Sequence, residues 1–178
     1  MRVRALRRDR AFKKEPELFL CERTFNDCLE RIALHGRSFL SCLLIGAVAG
    51  GNSLPQLRSA MHAADQVMGA SSPHAHPRIE AAAVAPLLTA SGFVKPVVDV
   101  DRVQVSYASL DRLVSDLRGM AATNILNARS RRPLSRMARE AATAVFEDAG
   151  EGGRTTETFE IIHFAAWTAS AGEIREQG

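Results

Sequence analysis

Aromatic side chains are scarce: Phe, Trp and Tyr make up 6% of the 178 residues, with one Trp and one Tyr. A ring-dominated core is therefore excluded, and interior filling falls to Ala, Val, Leu and Ile. No apolar run approaches the ~18 residues that a membrane-spanning helix needs. The longest, Cys42 to Ala49, is strand-sized. No secretory h-region follows the first Met. Cysteine is sparse as well. Cys21, Cys28 and Cys42 form an odd set with neither disulfide-framework nor zinc spacing. The expectation is reduced thiols, no metal and a cytoplasmic protein.

What remains is ordinary for a globular chain: 46% hydrophobic, 24% charged, net charge +3. The charge is uneven. Residues 2–14 (RVRALRRDRAFKK) carry seven Lys or Arg against one Asp. A second basic cluster holds Arg129, Arg131, Arg132, Arg136 and Arg139. Such runs are usually solvated faces. The alternative is contact with phosphates or an acidic partner. A transit-peptide reading of the first run is weakened by its lack of Ser and Thr.

Periodicity places the elements. Leu18, Cys21, Phe25, Cys28, Leu29 and Ile32 recur at helical spacing and predict a helix over 17–35 with that face in the core. CLLIGAVA predicts a buried strand. Gly50-Gly51-Asn52 is a turn, and a helix follows to about Met68, with Ser53 as its cap and Gln56 at the capping-box position. Residues 69–78 form a loop. Ile79 to Ser91 reads as a helix interrupted at Pro86. Phe93 to Tyr107 reads as a strand whose alternation changes phase at Asp101-Arg102, which a bulge would accommodate. Helices are expected over 109–126 and 134–148, broken by Pro133. Thr156 to Trp167 then reads as a strand apolar on both faces, hence interior to the sheet.

The segments GGNSLPQLRSAM, SPHAHPRIE, GFVKPVVDVDRVQVSY, DLRGMAATNIL, RSRRPL and TFEIIHFAAW occur in that order over roughly residues 50–168. Together they resemble the C-terminal half of class I, S-adenosylmethionine-dependent methyltransferases. The similarity is to the malonyl-acyl-carrier-protein methyltransferases of biotin synthesis and to the methyltransferase-like proteins that assist respiratory complex I assembly. LRRDRA and ELFLCERTFNDCLERIALHGRSF resemble the family's leading basic segment and first helix, and LLIG its first strand. Either GAVAGGN belongs to a later strand of the family fold, or one strand stands in for both. In both cases the central donor-binding units are missing.

The resemblance implies a truncated, Rossmann-like α/β fold of about three strands in a mixed sheet. Residues 1–16 would form a basic segment, 17–168 one domain with a helical insertion over 108–153, and 169–178 a tail. It also implies a methyltransferase-related protein, degenerate or weakly active because its donor half is absent. S-adenosylmethionine would be the cofactor if the chain is active. In a doubly wound fold the cofactor lies outside the carboxyl ends of the early strands. The corresponding candidates here are Gly46, Gly50 and Gly51, spaced G-x-x-x-G-G instead of G-x-G-x-G. A tight turn with a helix cap explains the same residues. In the insertion, Arg118, Thr123, Asn124, Arg131 and Arg132 offer donors suited to a carboxylate-bearing substrate or acidic protein partner. The alternative is a basic helical hairpin with its arginines in water.

Other candidates are His74 with His76 in one loop, Asp99 with Asp101 on one strand, and His163 in an apolar strand. An ordinary polar loop, an exposed strand face beside Arg102 and a satisfied interior histidine explain them equally. A sheet lacking its early strands would expose edges. Self-association through an edge, or the first helix lying across it, is expected. Non-catalytic assembly binding, RNA binding through the basic clusters (the less favoured partner) and a deletion remnant without function are the competing readings.

Overall fold

The computed structural model describes residues 19–35, 43–74, 78–122, 124 and 126–168. The elements run α1 (Phe19–His35), β1 (Leu43–Ala49), α2 (Pro55–Met68), α3 (Ala81–Ala90), β2 (Phe93–Tyr107), α4 (Leu110–Gly119), α5 (Arg136–Asp148) and β3 (Thr155–Thr168). No helix among the described residues is long and apolar enough to cross a membrane. The basic run at 2–14, Cys42, His76 and Thr123 lie outside the described residues.

The expected three-stranded α/β sheet is present, in the order β1-β3-β2. β3 is central and buried along nearly its whole length, as its two apolar faces require. β1 pairs antiparallel with β3, from Leu43 opposite Trp167 to Ala49 opposite Ile161. Arg154 reaches Ser106, and Arg102 reaches Glu160, so β2 also runs against β3. The sheet is thus antiparallel instead of mixed. Its parallel component among the described residues is the isolated bridge Gly50–Ile79. LLIG and GAVA thus form one continuous strand laid against the closing strand, a pairing that both readings of GAVAGGN allow.

By contacts the chain forms two compact units, each discontinuous in sequence. One takes its described residues mainly from Leu54–Pro77 and Gln104–Thr158, the other from Glu22–Ser53, Arg78–Val103 and Phe159–Gly178. In the first, α2 packs on α5. Ala60 and Ala64 on one helix and Ala138, Ala142 and Phe146 on the other are buried at four-residue spacing. Small side chains let two helices approach closely, which suits a sequence poor in aromatics. Ser135 caps α5 by accepting from the Ala138 N–H, and Ser109 caps α4 by accepting from the Arg112 N–H.

In the second unit one sheet face is apolar. Val84 and Leu88 of α3 cluster with Ile162 and Ala166, flanked by Leu44, Val98 and Phe164. The other face carries Asp99, Asp101 and His163 and meets α1. Arg23 pairs with Asp101 at 2.8 Å and Arg31 with Asp99 at 2.7 Å.

Several expectations are corrected. The apolar stripe of α1 is not core: Phe25 is 62% exposed, Leu29 and Ile32 are exposed, Cys21 is exposed and Cys28 half-buried. Arg23 and Arg31 on this helix pair with carboxylates of β2. β1 is a half-buried edge strand with Val48 exposed, because its flank away from β3 has no neighbour among the described residues. The phase of β2 changes at Asp99-Val100, so Val100 faces solvent. α3 begins at Ala81, and α4 stops at Gly119 instead of 126. At α2, Ser53 is not the cap. That position is Leu54, in the left-handed region with φ 58°.

Candidate functional site

α2 begins against a carboxylate from far along the chain. Glu157 on β3 is fully buried and accepts from the N–H groups of Gln56 (3.3 Å) and Leu57 (2.8 Å). The Leu54 N–H donates to the Thr158 carbonyl at 2.7 Å, which holds Leu54 in its strained conformation. Pro55 opens the helix, where its missing N–H costs nothing. Burial pushes the Glu157 carboxyl above its ordinary pKa, opposed by the N–H groups of Leu57, Thr158 and Gln56. Tyr107 is buried nearby and its pKa is raised, first by desolvation and then by Asp116 and Glu157.

The helix so positioned forms one wall of a cleft of about 630 Å³. Leu57, Arg58, Met61, His62 and Asp65 come from α2, and Val114, Leu117 and Arg118 from α4. Ser72, His74, Ala122, Asn124, Arg129 and Ser130 close it from loops. The half-buried Leu57, Met61, Val114 and Leu117 make an apolar floor, and Arg58 and Arg118 are exposed at its margin. Asn124 donates to the Pro73 carbonyl through its amide and accepts from the Leu126 N–H. Arg129 donates to the Leu126 carbonyl at 3.0 Å. Among the described lining residues the one carboxylate, Asp65, is engaged: His74 lies 2.7 Å away, and the Ser72 N–H donates to it. The balance is three guanidinium groups against one carboxylate already paired with a histidine.

Of the sequence candidates, Arg118 and Asn124 come together here. Arg132 lines a smaller adjoining cavity of about 130 Å³, Arg131 lines neither, and Thr123 is outside the described residues. Arg58 was missed because it lies outside the insertion. Its place on the Leu57/Met61 side of α2 was the available signal. His74 is a partner of Asp65.

The glycine turn has a different character. Gly46 lies within β1 opposite Phe164, and an added Cβ would stand 2.6 Å from the ring. The Gly50 N–H donates to the Glu160 carbonyl (2.8 Å) and the Gly51 N–H to the Ile79 carbonyl (3.1 Å). Carboxylates of Glu160 and Glu80 press on Gly50 and Gly51 where a Cβ would sit. Ser53, 4% exposed, donates to the Gly50 and Glu160 carbonyls and accepts from the Glu160 N–H. The Glu160 carboxylate accepts from Asn52 (3.1 Å) and Arg102 (3.0 Å). Burial opposes its ionisation, yet Asn52 and Arg102 outweigh that and hold its pKa below the usual range. The N–H groups of the turn from Gly50 to Leu54 are all used internally, and carboxylates stand where side chains at Gly50 and Gly51 would be. These residues do not fit S-adenosylmethionine, whose methionine carboxylate needs free N–H groups.

No protein-family model matches the chain. Curated proteins do. It is 34% identical over 128 residues to the arginine-hydroxylase NDUFAF5, mitochondrial, of Mus musculus, covering 70% of this chain and 37% of the relative. It is 32% identical over 136 residues to the Homo sapiens protein of that name, covering 75% and 39%. It is 30% identical over 129 residues to the malonyl-[acyl-carrier protein] O-methyltransferase of Laribacter hongkongensis, covering 72% and 42%. The chain spans about two-fifths of the length of the curated relatives it matches. It belongs to the class I methyltransferase family that holds these proteins, as a partial representative of it.

Proposed function

We propose that this protein is the acceptor-side part of a methyltransferase-family fold and binds a carboxylate-bearing ligand in the α2/α4 cleft, without holding the methyl donor itself. The observation that carries this reading is the convergence of Arg58, Arg118 and Arg129 on one opening over an apolar floor. Guanidinium groups favour carboxylates by charge-assisted, often bidentate hydrogen bonds. The same charge distinguishes between the two groups of relatives. A cationic arginine ligand, as the name arginine-hydroxylase indicates, would meet three like charges. A malonyl-type acid would meet complementary ones. Methyl transfer from S-adenosylmethionine would then need a donor surface beyond the residues described here.

Binding of the malonyl thioester of N-acetylcysteamine, followed by calorimetry at low salt, tests this against its methyl ester. The acid is expected to bind at least ~10-fold more tightly, because esterification removes the charge that the arginines read. Equal affinity of acid and ester, or tighter binding of an arginine peptide, refutes the reading.

A further inference from the structure

We propose that Asp27, Asp101 and His163 form a binding site for a divalent transition cation of zinc-like preference. The three side chains come from α1, β2 and β3, and their ligand atoms all lie within 4.8 Å of one another. Asp27 Oδ2 and His163 Nε2 are 3.4 Å apart. That is close to the edge of a tetrahedron with bonds of about 2.0–2.1 Å, roughly 3.3 Å. Asp101 completes the set by a side-chain adjustment.

The histidine supplies the independent indication. It is 1% exposed, and neither ring nitrogen has a hydrogen-bond partner among the described residues. A buried imidazole in this state is costly, and native proteins rarely leave one so. Two carboxylates stand beside it, and Asp27, 36% exposed, opens the cluster to solvent. A cation on Nε2 would partner that nitrogen and neutralise both carboxylates. One imidazole with two carboxylates suits zinc, manganese or iron better than calcium, and three protein ligands leave a position for water.

Arg23 is the competitor. It donates to Asp101 at 2.8 and 3.4 Å and already neutralises that carboxylate. Its side chain is 53% exposed, so the pair is largely solvated and weakly held. Arg31 is engaged one step along the strand with Asp99, outside the cluster.

The test uses the full chain, freed of metal by chelation, with Zn²⁺ alone followed by calorimetry and Co²⁺ by visible absorption. One equivalent of Zn²⁺ is expected at micromolar Kd, with a Co²⁺ spectrum showing a low-coordinate site. Asp27→Asn, at a half-exposed helix position, should weaken uptake at least 10-fold without disturbing the fold. Arg23→Gln should tighten it several-fold by releasing Asp101, an effect that a merely structural role for these residues does not produce. Absence of stoichiometric uptake, or uptake unchanged by both substitutions, overturns the proposal.

Discussion

Glu157→Ala is expected to destabilise the protein by about 2–4 kcal/mol, lowering the unfolding midpoint on the order of 5–15 °C. The carboxylate is fully buried and accepts from the N–H groups of Gln56 and Leu57. Its removal leaves two orphan donors at a helix start that has no side-chain cap of its own. Glu157→Gln keeps an acceptor and should cost about 1 kcal/mol or less at neutral pH. The pH dependence follows from the raised folded-state pKa. A carboxyl whose pKa is higher folded than unfolded contributes stability that is full below the unfolded value, here 4.5, and lost as pH rises through the folded value. The advantage of wild type over Glu157→Gln should therefore grow as pH falls toward 4.5 and level off below it. Chemical denaturation across pH checks both statements. An alanine variant within about 0.5 kcal/mol of wild type contradicts the capping role.

The second large effect lies in the cleft. Arg58→Glu and Arg118→Glu should each weaken binding of the malonyl thioester about 10-fold, and roughly 100-fold together if their contributions add. Both side chains are exposed, so stability should stay within about 0.5 kcal/mol of wild type, which separates lost binding from lost fold. Arg112→Glu, on α4 but away from the cleft lining, is the control and should leave affinity nearly unchanged. Affinity should also fall as salt rises, since exposed charges are screened. Binding that survives the double reversal would place the ligand elsewhere.

The reach of the sequence can be judged on particular residues. Phe93–Tyr107 emerges as a strand at the expected bounds because alternation of Val with polar residues is a local property of the backbone. The central place of β3 follows likewise from apolar residues on both its faces. Arg118 and Asn124 line the α2/α4 cleft, in the stretch where the sequence concentrates donors. What the sequence hides is partnership at a distance. Glu157 starts a helix about 100 residues earlier, and no local motif marks it. Ser53 has the composition of a cap, yet its hydroxyl is spent on Gly50 and Glu160. Periodicity gave α1 an inward face, but whether that face has anything to pack on is decided by neighbours the pattern does not contain. Its arginines pair with Asp99 and Asp101, a partnership that no local periodicity marks. His163 sits inside the fold as expected, but its ring nitrogens have no hydrogen-bond partner among the described residues.

The central claim is that the glycine turn is closed upon itself and leaves the methyl donor no backbone to hold. Calorimetric titration of the purified full chain with S-adenosylmethionine up to millimolar concentration tests it directly. No saturable heat is the predicted result. Uptake of one equivalent per monomeric chain at micromolar Kd would contradict it.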